Sequence, residues 1–564
     1  MLITTTLVFA LTFFAKSQSI EEAKRDIYYE RYESAKSDLQ NMIAKGNASP
    51  ETWYWLSEVY LKQKNVDSAR LVLQNMPDHF LQQSSLKKEN PLVFIAWAHV
   101  LLDSGMTTAA RAEMEDVLNA GKYKNAEALL AAARANLDSK HGDTTWAIEI
   151  LNKAVKRDKK NPEIYLALGD AYRKLVDGGN AVINYEKALE LDPSFAKAMY
   201  KEGMIYKTQK NAQVYVDRFT KAIAIDSNYT PALYELYYYY YFRDVVKADK
   251  FLNAYIRDAD PSPQHAYMLT DLHYVSRKYA DAINDAKNIL KIEGDSAEPR
   301  LYKLIAYSYA ALKDSAAALN YINSYFDNQS SDDFVAKDFE LKASLLEKLD
   351  PDKSLAITWY EKALAADTSK EERLNYMTSL ADLQKELDNR EQEAVWREKI
   401  YNEKENPSNL DLYKWGIALY SAKDLTRADS VFAIYEEKYP DEVHGYLWRA
   451  TCNSLIDSTM EQGLAVPHYL KLAEVAAKDT VANKSLLIRA YKYLAAYKAN
   501  VAKDYAASLE YYDKILALNP EDTNAEKNSE VLAKLIEKGQ DNQEQNNEEQ
   551  NNNEEQNSEG QNNN

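Results

Sequence analysis

Histidine and cysteine are the side chains that most often build metal and nucleophilic sites, and in this sequence they are few and scattered. The chain has seven histidines and one cysteine. No two histidines have the four-residue spacing that would place both on one helical face around a zinc ion. His265 and His273 are eight residues apart and could share a helical face, but no further ligands accompany them. We therefore interpret the histidines as structural and expect no metal site.

Motifs for nucleophilic or phosphate chemistry are also missing from the sequence. There is no glycine-rich phosphate loop and no GxSxG strand-to-helix turn that would expose a serine nucleophile. The lone Cys452 lies in the segment TCNSL without a neighbouring base, which is typical of a small buried apolar side chain. The sequence therefore predicts no catalytic residue and no cofactor, and a protein that is not an enzyme.

Composition narrows the fold class and the kind of partner. Glycine and proline number only 14 each among 564 residues, well below their usual share, which favours helices joined by short connections over sheets rich in turns. The formal net charge of −18 disfavours a nucleic-acid partner, since phosphate binding needs clustered lysine and arginine. A single cysteine excludes an internal disulfide framework and a cysteine-based zinc site.

The N-terminus has the pattern of a secretory signal peptide. The run from Leu2 to Phe14 is apolar apart from threonines, and it is shorter than the roughly 20 residues of a membrane-spanning helix. Ala15 and Ser17 then place small residues at positions −3 and −1 of a cleavage site before Gln18, although no basic residue precedes the apolar run. We predict that residues 1–17 are removed. The mature chain is then periplasmic or secreted from a bacterium, without a lipid anchor or a transmembrane helix.

Internal repetition is the strongest signal in the chain. The unit at 162–195 resembles the tetratricopeptide repeat family, because its residues match that family's pattern at Tyr165, Leu168, Gly169, Tyr172, Ala181, Tyr185, Ala188 and Pro193. Partial matches start near Pro50, Pro91 and Pro299, and we count about 12–14 units, some lengthened by insertions, between residues 18 and 538. The resemblance implies an all-α fold, a right-handed α-solenoid of stacked helical hairpins.

Two segments depart from the repeat. Near 211–262, Tyr215 and Tyr237 occupy positions where the family has small residues, and we expect a break in the superhelix there. Residues 540–564 contain only Gln, Asn, Glu, Asp, Ser and Gly. Such a segment has nothing apolar to bury and cannot offset the entropy of ordering. We therefore predict a disordered acidic tail over 539–564.

Tyrosine is abundant, with 43 residues, and the resemblance implies where some of them lie. In the family, the first helix of each unit faces the concave groove, and its non-signature positions contact the partner. Carrying those positions over gives the candidate groove residues Tyr54, Tyr200, Tyr234, Tyr238, Tyr241, Tyr307, Tyr413 and Tyr420. Between residues 230 and 242 we expect Tyr234, Tyr238 and Tyr241 to form one exposed strip, with Tyr237 and Tyr240 buried. The alternative is that many tyrosines only pack between units.

The function that the resemblance implies is binding without catalysis. We expect a scaffold of the cell envelope that holds a peptide or protein partner in its groove. The family's clamp of lysine and asparagine for a C-terminal carboxylate is not found here, since Tyr54 and Tyr200 stand where a lysine is needed. The alternative is an accessory protein that binds glycan or polysaccharide through exposed aromatic rings.

Overall fold

The computed structural model describes residues 19–77 and 86–538 of the chain. The predicted signal peptide and the predicted disordered tail therefore lie outside the described residues. The chain divides into two compact units, one ending at Leu312 and the other starting at Lys313. Every regular element within the described ranges is helical, which confirms the predicted all-α solenoid of helical hairpins.

Unit 1 is a succession of helices in which neighbours along the chain pack as hairpins. Its helices are α1 (Ile20–Tyr28), α2 (Tyr32–Ala44), α3 (Pro50–Lys62), α4 (Val66–Gln74), α5 (Leu86–Glu89), α6 (Pro91–Asp103), α7 (Thr107–Ala120), α8 (Ala126–Asp138), α9 (Thr144–Arg157), α10 (Pro162–Lys174), α11 (Gly178–Leu191), α12 (Ala196–Thr208), α13 (Ala212–Ile225), α14 (Thr230–Tyr240), α15 (Val245–Asp258), α16 (Gln264–Val275), α17 (Tyr279–Glu293) and α18 (Arg300–Ala311), with a 3-10 turn at Gly294–Ser296.

Unit 2 repeats the same arrangement. Its helices are α19 (Ser315–Asn328), α20 (Ala336–Leu349), α21 (Ser354–Ala366), α22 (Lys370–Glu386), α23 (Arg390–Glu403), α24 (Asn409–Ser421), α25 (Leu425–Lys438), α26 (Val443–Ile456), α27 (Val466–Ala476), α28 (Lys484–Asn500) and α29 (Tyr505–Leu518), with 3-10 turns at Ser331–Asp333 and Ala477–Asp479. A last helix covers 523–538.

The turns inside several hairpins have a left-handed backbone conformation but no glycine. Several second helices begin after a lysine in the left-handed backbone region, with φ of 62° at Lys64 and 58° at Lys210. The next residue, Asn65 or Asn211, accepts a hydrogen bond from the backbone of the new helix's first turn. That cap satisfies a donor that the helix start leaves open. The tight turn is thus built from lysine and asparagine, with no glycine at either position.

The unit recognised at 162–195 folds as predicted, into α10 and α11. Ala181 and Ala188 are fully buried, and the ring of Tyr185 lies flat against Gly169. A Cβ atom at Gly169 would come within 2.3 Å of that ring, so the close approach requires glycine. The same contact recurs between Gly203 and Phe219. A small residue on the first helix and a ring on the second therefore set the spacing of these hairpins.

The segment 211–262, where we expected a break, consists of helices that pack as hairpins like the others, and the two units divide after Leu312. Tyr237 is buried in the contact between α14 and α15. Tyr215 is half-buried, with its ring 5.7 Å from that of Phe219. The large side chains at the small-residue positions are thus accommodated within aromatic clusters.

Unit 1 closes on itself, because its first hairpin packs against α12 to α15. The hydroxyl of Tyr29 donates to a carboxylate oxygen of Asp226 at 2.8 Å. The backbone carbonyl of Tyr29 accepts a hydrogen bond from the hydroxyl of Thr230. The hydroxyl of Tyr28 accepts from the backbone N–H of Lys197 at 3.1 Å. Residues about 200 positions apart in the sequence are therefore neighbours.

A carboxylate from the far side of this closure caps the second helix of the first hairpin. Asp260 accepts from the backbone N–H groups of Glu33 at 2.7 Å and Ser34 at 3.1 Å, and from the Ser34 hydroxyl at 2.6 Å. These N–H groups belong to the first turn of α2, where no partner exists within the helix. Asp260 also places a negative charge at the positive end of the helix dipole, which stabilises the closure.

Candidate functional site

A cavity of about 800 Å³ opens where the first hairpin meets α12 to α16, all within unit 1. We call it the tyrosine pocket. Its lining residues are Tyr29, Glu30, Arg31, Glu33, Tyr200, Thr230, Pro231, Tyr234, Glu235, Tyr238, Tyr255, Ala259, Asp260, Pro261, Ser262, Gln264, His265 and Met268. Its size is that of a ligand-binding cleft.

One wall of the tyrosine pocket is a continuous series of rings. The ring centroid of Tyr234 lies 4.9 Å from Tyr238 and 5.3 Å from Tyr255, and Tyr255 meets His265 edge to face at 5.4 Å. Burial raises the pKa of Tyr234 and lowers that of His265. At neutral pH the wall is therefore uncharged, and it offers aromatic faces and hydroxyl groups.

The only cation that lines the tyrosine pocket in the described ranges, Arg31, is already engaged. Its guanidinium lies 3.0 Å from Asp26 and stacks 4.5 Å above the ring of Tyr29. It also donates to the carbonyl oxygen of Asp258 at 3.3 Å. Arg31 therefore holds the closure together and leaves the pocket without a free positive charge.

A second cavity of about 690 Å³ is lined by residues from the first hairpin to α12 and is rich in ion pairs. Lys62 and Asp138 are 2.6 Å apart. Burial alone would raise the pKa of Asp138, but Lys62 outweighs this and holds it at about 2. A carboxylate oxygen of Glu58 lies 2.9 Å from Nδ1 of the buried His99. Burial alone would lower the pKa of His99, but the charge of Glu58 outweighs this and raises it. Several of the charged side chains that line this cavity therefore form ion pairs with one another.

Cys452, His265 and His273 are each held by burial, ring packing or an ion pair. Burial raises the pKa of Cys452 to about 12, so its thiol stays protonated. His273 is engaged by Asp285 at 2.7 Å, and His265 packs on Tyr255. No group of three or more His, Cys, Asp or Glu side chains is placed to hold a metal ion there.

Three of the eight tyrosines predicted for the groove meet in the tyrosine pocket: Tyr200, Tyr234 and Tyr238. Tyr54 is buried instead and lines the second cavity, the one of about 690 Å³. Tyr241 was expected to extend the strip, but as the C-cap of α14 it bonds through its N–H to the carbonyl of Tyr237, four residues earlier. Its ring packs on Tyr237 at 5.7 Å, away from the pocket.

The remaining predicted residues lie elsewhere and are half-buried. Tyr307 is on α18, with the ammonium of Lys303 6.0 Å from its ring. Tyr413 and Tyr420 are in unit 2, and both rings approach Trp448, at 6.5 Å and 4.9 Å. As binding residues, these three stay predictions.

The burial of the tyrosines in α14 agrees with the expected register at two positions and differs at a third. Tyr238 is 56% exposed and Tyr237 is 4% exposed, as the expected register requires. Tyr240, which we expected to be buried, is half-buried and stacks on Phe251 at 5.7 Å. Its truncation should therefore cost less stability than that of a fully buried ring.

Sequence reasoning missed several residues that complete the tyrosine pocket. Tyr255 is on α15, the second helix of its hairpin, and the groove pattern covers only first helices. For His265 the only functional role that the sequence suggests is that of a metal ligand. Tyr29 and Glu30 lie in the turn of the first hairpin and reach the pocket only because unit 1 closes. No local signal in the sequence marks that closure.

Comparison with known proteins agrees with this architecture. Tetratricopeptide repeat models match residues 27–88, 95–162 and 162–195, and the last match coincides with α10 and α11. No curated protein matches the chain.

Several solved structures are similar. The C-terminal part of a TPR repeat-containing protein from Cytophaga hutchinsonii is 29% identical, with 46% of this chain and 98% of that chain covered and a TM-score of 0.32. A tetratricopeptide repeat protein from Parabacteroides merdae is 17% identical, with 44% and 96% covered and a TM-score of 0.29. Yeast Tom70 is 13% identical, with 72% and 95% covered and a TM-score of 0.27.

Among the helices of the described ranges, none combines the length and the apolar character needed to cross a bilayer.

Proposed function

We propose that the chain, which tetratricopeptide repeat models match at three places, is a non-catalytic scaffold that holds a peptide or protein partner in the tyrosine pocket of unit 1. Repeats of this kind suggest a protein-interaction scaffold in general. The proposed binding site for the partner is the tyrosine pocket. It is large enough for a short peptide segment, and three tyrosines expected at the groove line it.

The observation that carries the proposal is the exposure of Tyr238 beside the half-buried Tyr234. An aromatic side chain that is 56% exposed at the mouth of a cavity is not needed for the packing of α14. Tyrosine combines a large contact area with a hydroxyl and few rotatable bonds, which makes it a frequent anchor in protein interfaces. The glycan-binding alternative is not favoured, because the matched repeats point to a protein partner.

Replacing Tyr238 with alanine should weaken partner capture and leave the fold intact. Removal of an interface anchor typically costs about 2 kcal/mol or more of binding free energy, whereas an exposed side chain contributes little to stability. The measurement is affinity capture from envelope extract by wild-type and Tyr238→Ala chains, with thermal unfolding in parallel. Phe242→Ala is the matched control, since Phe242 is 83% exposed and lies outside the pocket. Equal capture by all three chains would refute the proposal.

The same proposal includes a location in the cell envelope, periplasmic or secreted. It is supported by the signal-peptide pattern of residues 1–17. N-terminal sequencing of the protein isolated from its native cells should begin at Gln18. A chain that keeps Met1 would refute this part and leave the scaffold function unaffected.

A further inference from the structure

The tyrosine pocket has a charge pattern that identifies the chemistry of its occupant. Four carboxylates line it, those of Glu30, Glu33, Glu235 and Asp260. Three of them are already engaged. Glu33 pairs with Lys36, Glu235 pairs with Lys207, and Asp260 caps α2.

Glu30 is the carboxylate that remains. Its side chain is exposed, and within the described residues its carboxylate makes no hydrogen bond or ion pair. It lies in the tight turn between α1 and α2, where its backbone has a φ of 58°. Several other hairpins have a basic residue at this turn, such as Lys64, Lys210 and Arg277, and one has the acidic Asp388. Glu30 therefore brings an unpaired negative charge to the pocket.

The charge of Glu30 acts directly on the aromatic wall. Burial raises the pKa of Tyr255, and the negative charge of Glu30 raises it further. The same two causes, together with Glu235, raise the pKa of Tyr200. Glu30, Tyr200 and Tyr255 all line this cavity. A site with a free carboxylate and several aromatic faces is complementary to a cation, which is attracted to the charge and to the negative faces of the rings.

We propose that the tyrosine pocket binds a lysine- or arginine-bearing segment of the protein partner, with Glu30 facing the cationic group and the rings of Tyr234, Tyr238 and Tyr255 around its side chain. This inference rests on the proposed function and names the chemistry of the partner. Two further observations agree with it. Arg31, the pocket's own cation, is held by Asp26 and does not compete. The net charge of −18 also steers basic partners toward the protein.

The test is a titration of the full chain by isothermal calorimetry with two heptapeptides of alanine and glycine. One carries two central lysines and the other two central glutamines, and both have blocked ends, so that terminal charges play no part. We expect the lysine peptide to bind about tenfold more tightly than the glutamine peptide. Its affinity should also fall as salt is raised, because exposed charges are screened.

Glu30→Gln provides the matched variant, since it removes the charge and keeps the size of the side chain. It should weaken binding of the lysine peptide about tenfold and leave the melting temperature unchanged, because Glu30 is exposed. Glu186→Gln, on the exposed face of α11 and outside the pocket, should bind like the wild type. Equal affinity for the two peptides, no measurable binding of the lysine peptide, or no effect of Glu30→Gln would each overturn the proposal.

The outcome also separates this inference from the proposed function. Partner capture that depends on Tyr238 but is unchanged in Glu30→Gln would overturn the cationic assignment alone. Capture that is independent of Tyr238 would overturn the proposed function itself.

Discussion

Replacing Tyr185 with alanine should lower the free energy of unfolding of unit 1 by about 3–5 kcal/mol, the usual cost of truncating a buried aromatic side chain. Tyr185 has an exposed fraction of 0%, and its ring lies against the backbone of Gly169. Its hydroxyl donates to Asp170 at 2.8 Å. The substitution removes the ring that spaces α10 from α11 and leaves a cavity between them.

The measurement is urea unfolding of the full chain, combined with amide hydrogen exchange to assign the loss to unit 1. In a repeat protein, stability is close to the sum of the repeats and their interfaces, so the loss should be concentrated around α10 to α12. The control is Tyr238→Ala, an exposed tyrosine whose truncation should change stability by about 0.5 kcal/mol or less. A Tyr185→Ala chain as stable as the control would contradict the packing described for this hairpin.

Replacing Tyr229 with alanine should open the closure between the first hairpin and α12 to α15, at a cost of about 3–5 kcal/mol. Tyr229 is 0% exposed and lies at the centre of the closure. Its ring centroid is 5.3 Å from Tyr28, 6.5 Å from Tyr29 and 5.5 Å from Tyr200. Hydrogen exchange should become faster in α1 and α2, where the capping bonds from Asp260 would be lost with the closure.

Tyr229→Phe is the matched control, and the expected result has the opposite sign. Within the described residues, the buried hydroxyl of Tyr229 has no hydrogen-bond partner. Because an unsatisfied buried polar group is costly, its removal should leave stability unchanged or increase it by about 1 kcal/mol. A loss of several kcal/mol in Tyr229→Phe would show that this hydroxyl has a partner and that the closure is built differently.

The sequence by itself determined the hairpins and their internal packing. The eight signature residues between Tyr165 and Pro193 specify contacts between two helices that follow each other in the chain. Such contacts depend on a local period, and that period is readable wherever the helices are regular. For the same reason the burial of Tyr237 and the exposure of Tyr238 were predictable. The contact of Tyr241 with Tyr237 was not, because a repeat position does not show which neighbouring ring a side chain packs on.

Only the tertiary structure decided that the tyrosine pocket exists. Tyr234 and Tyr238 were identifiable from their repeat positions, but Tyr29, Glu30 and Asp260 reach them through the closure of unit 1. That closure depends on the small rotation that each hairpin adds to the one before. The rotations accumulate over about 200 residues, and no local pattern encodes their sum. The candidate anchors were therefore visible in the sequence, whereas the cavity around them and the unpaired charge beside them were not.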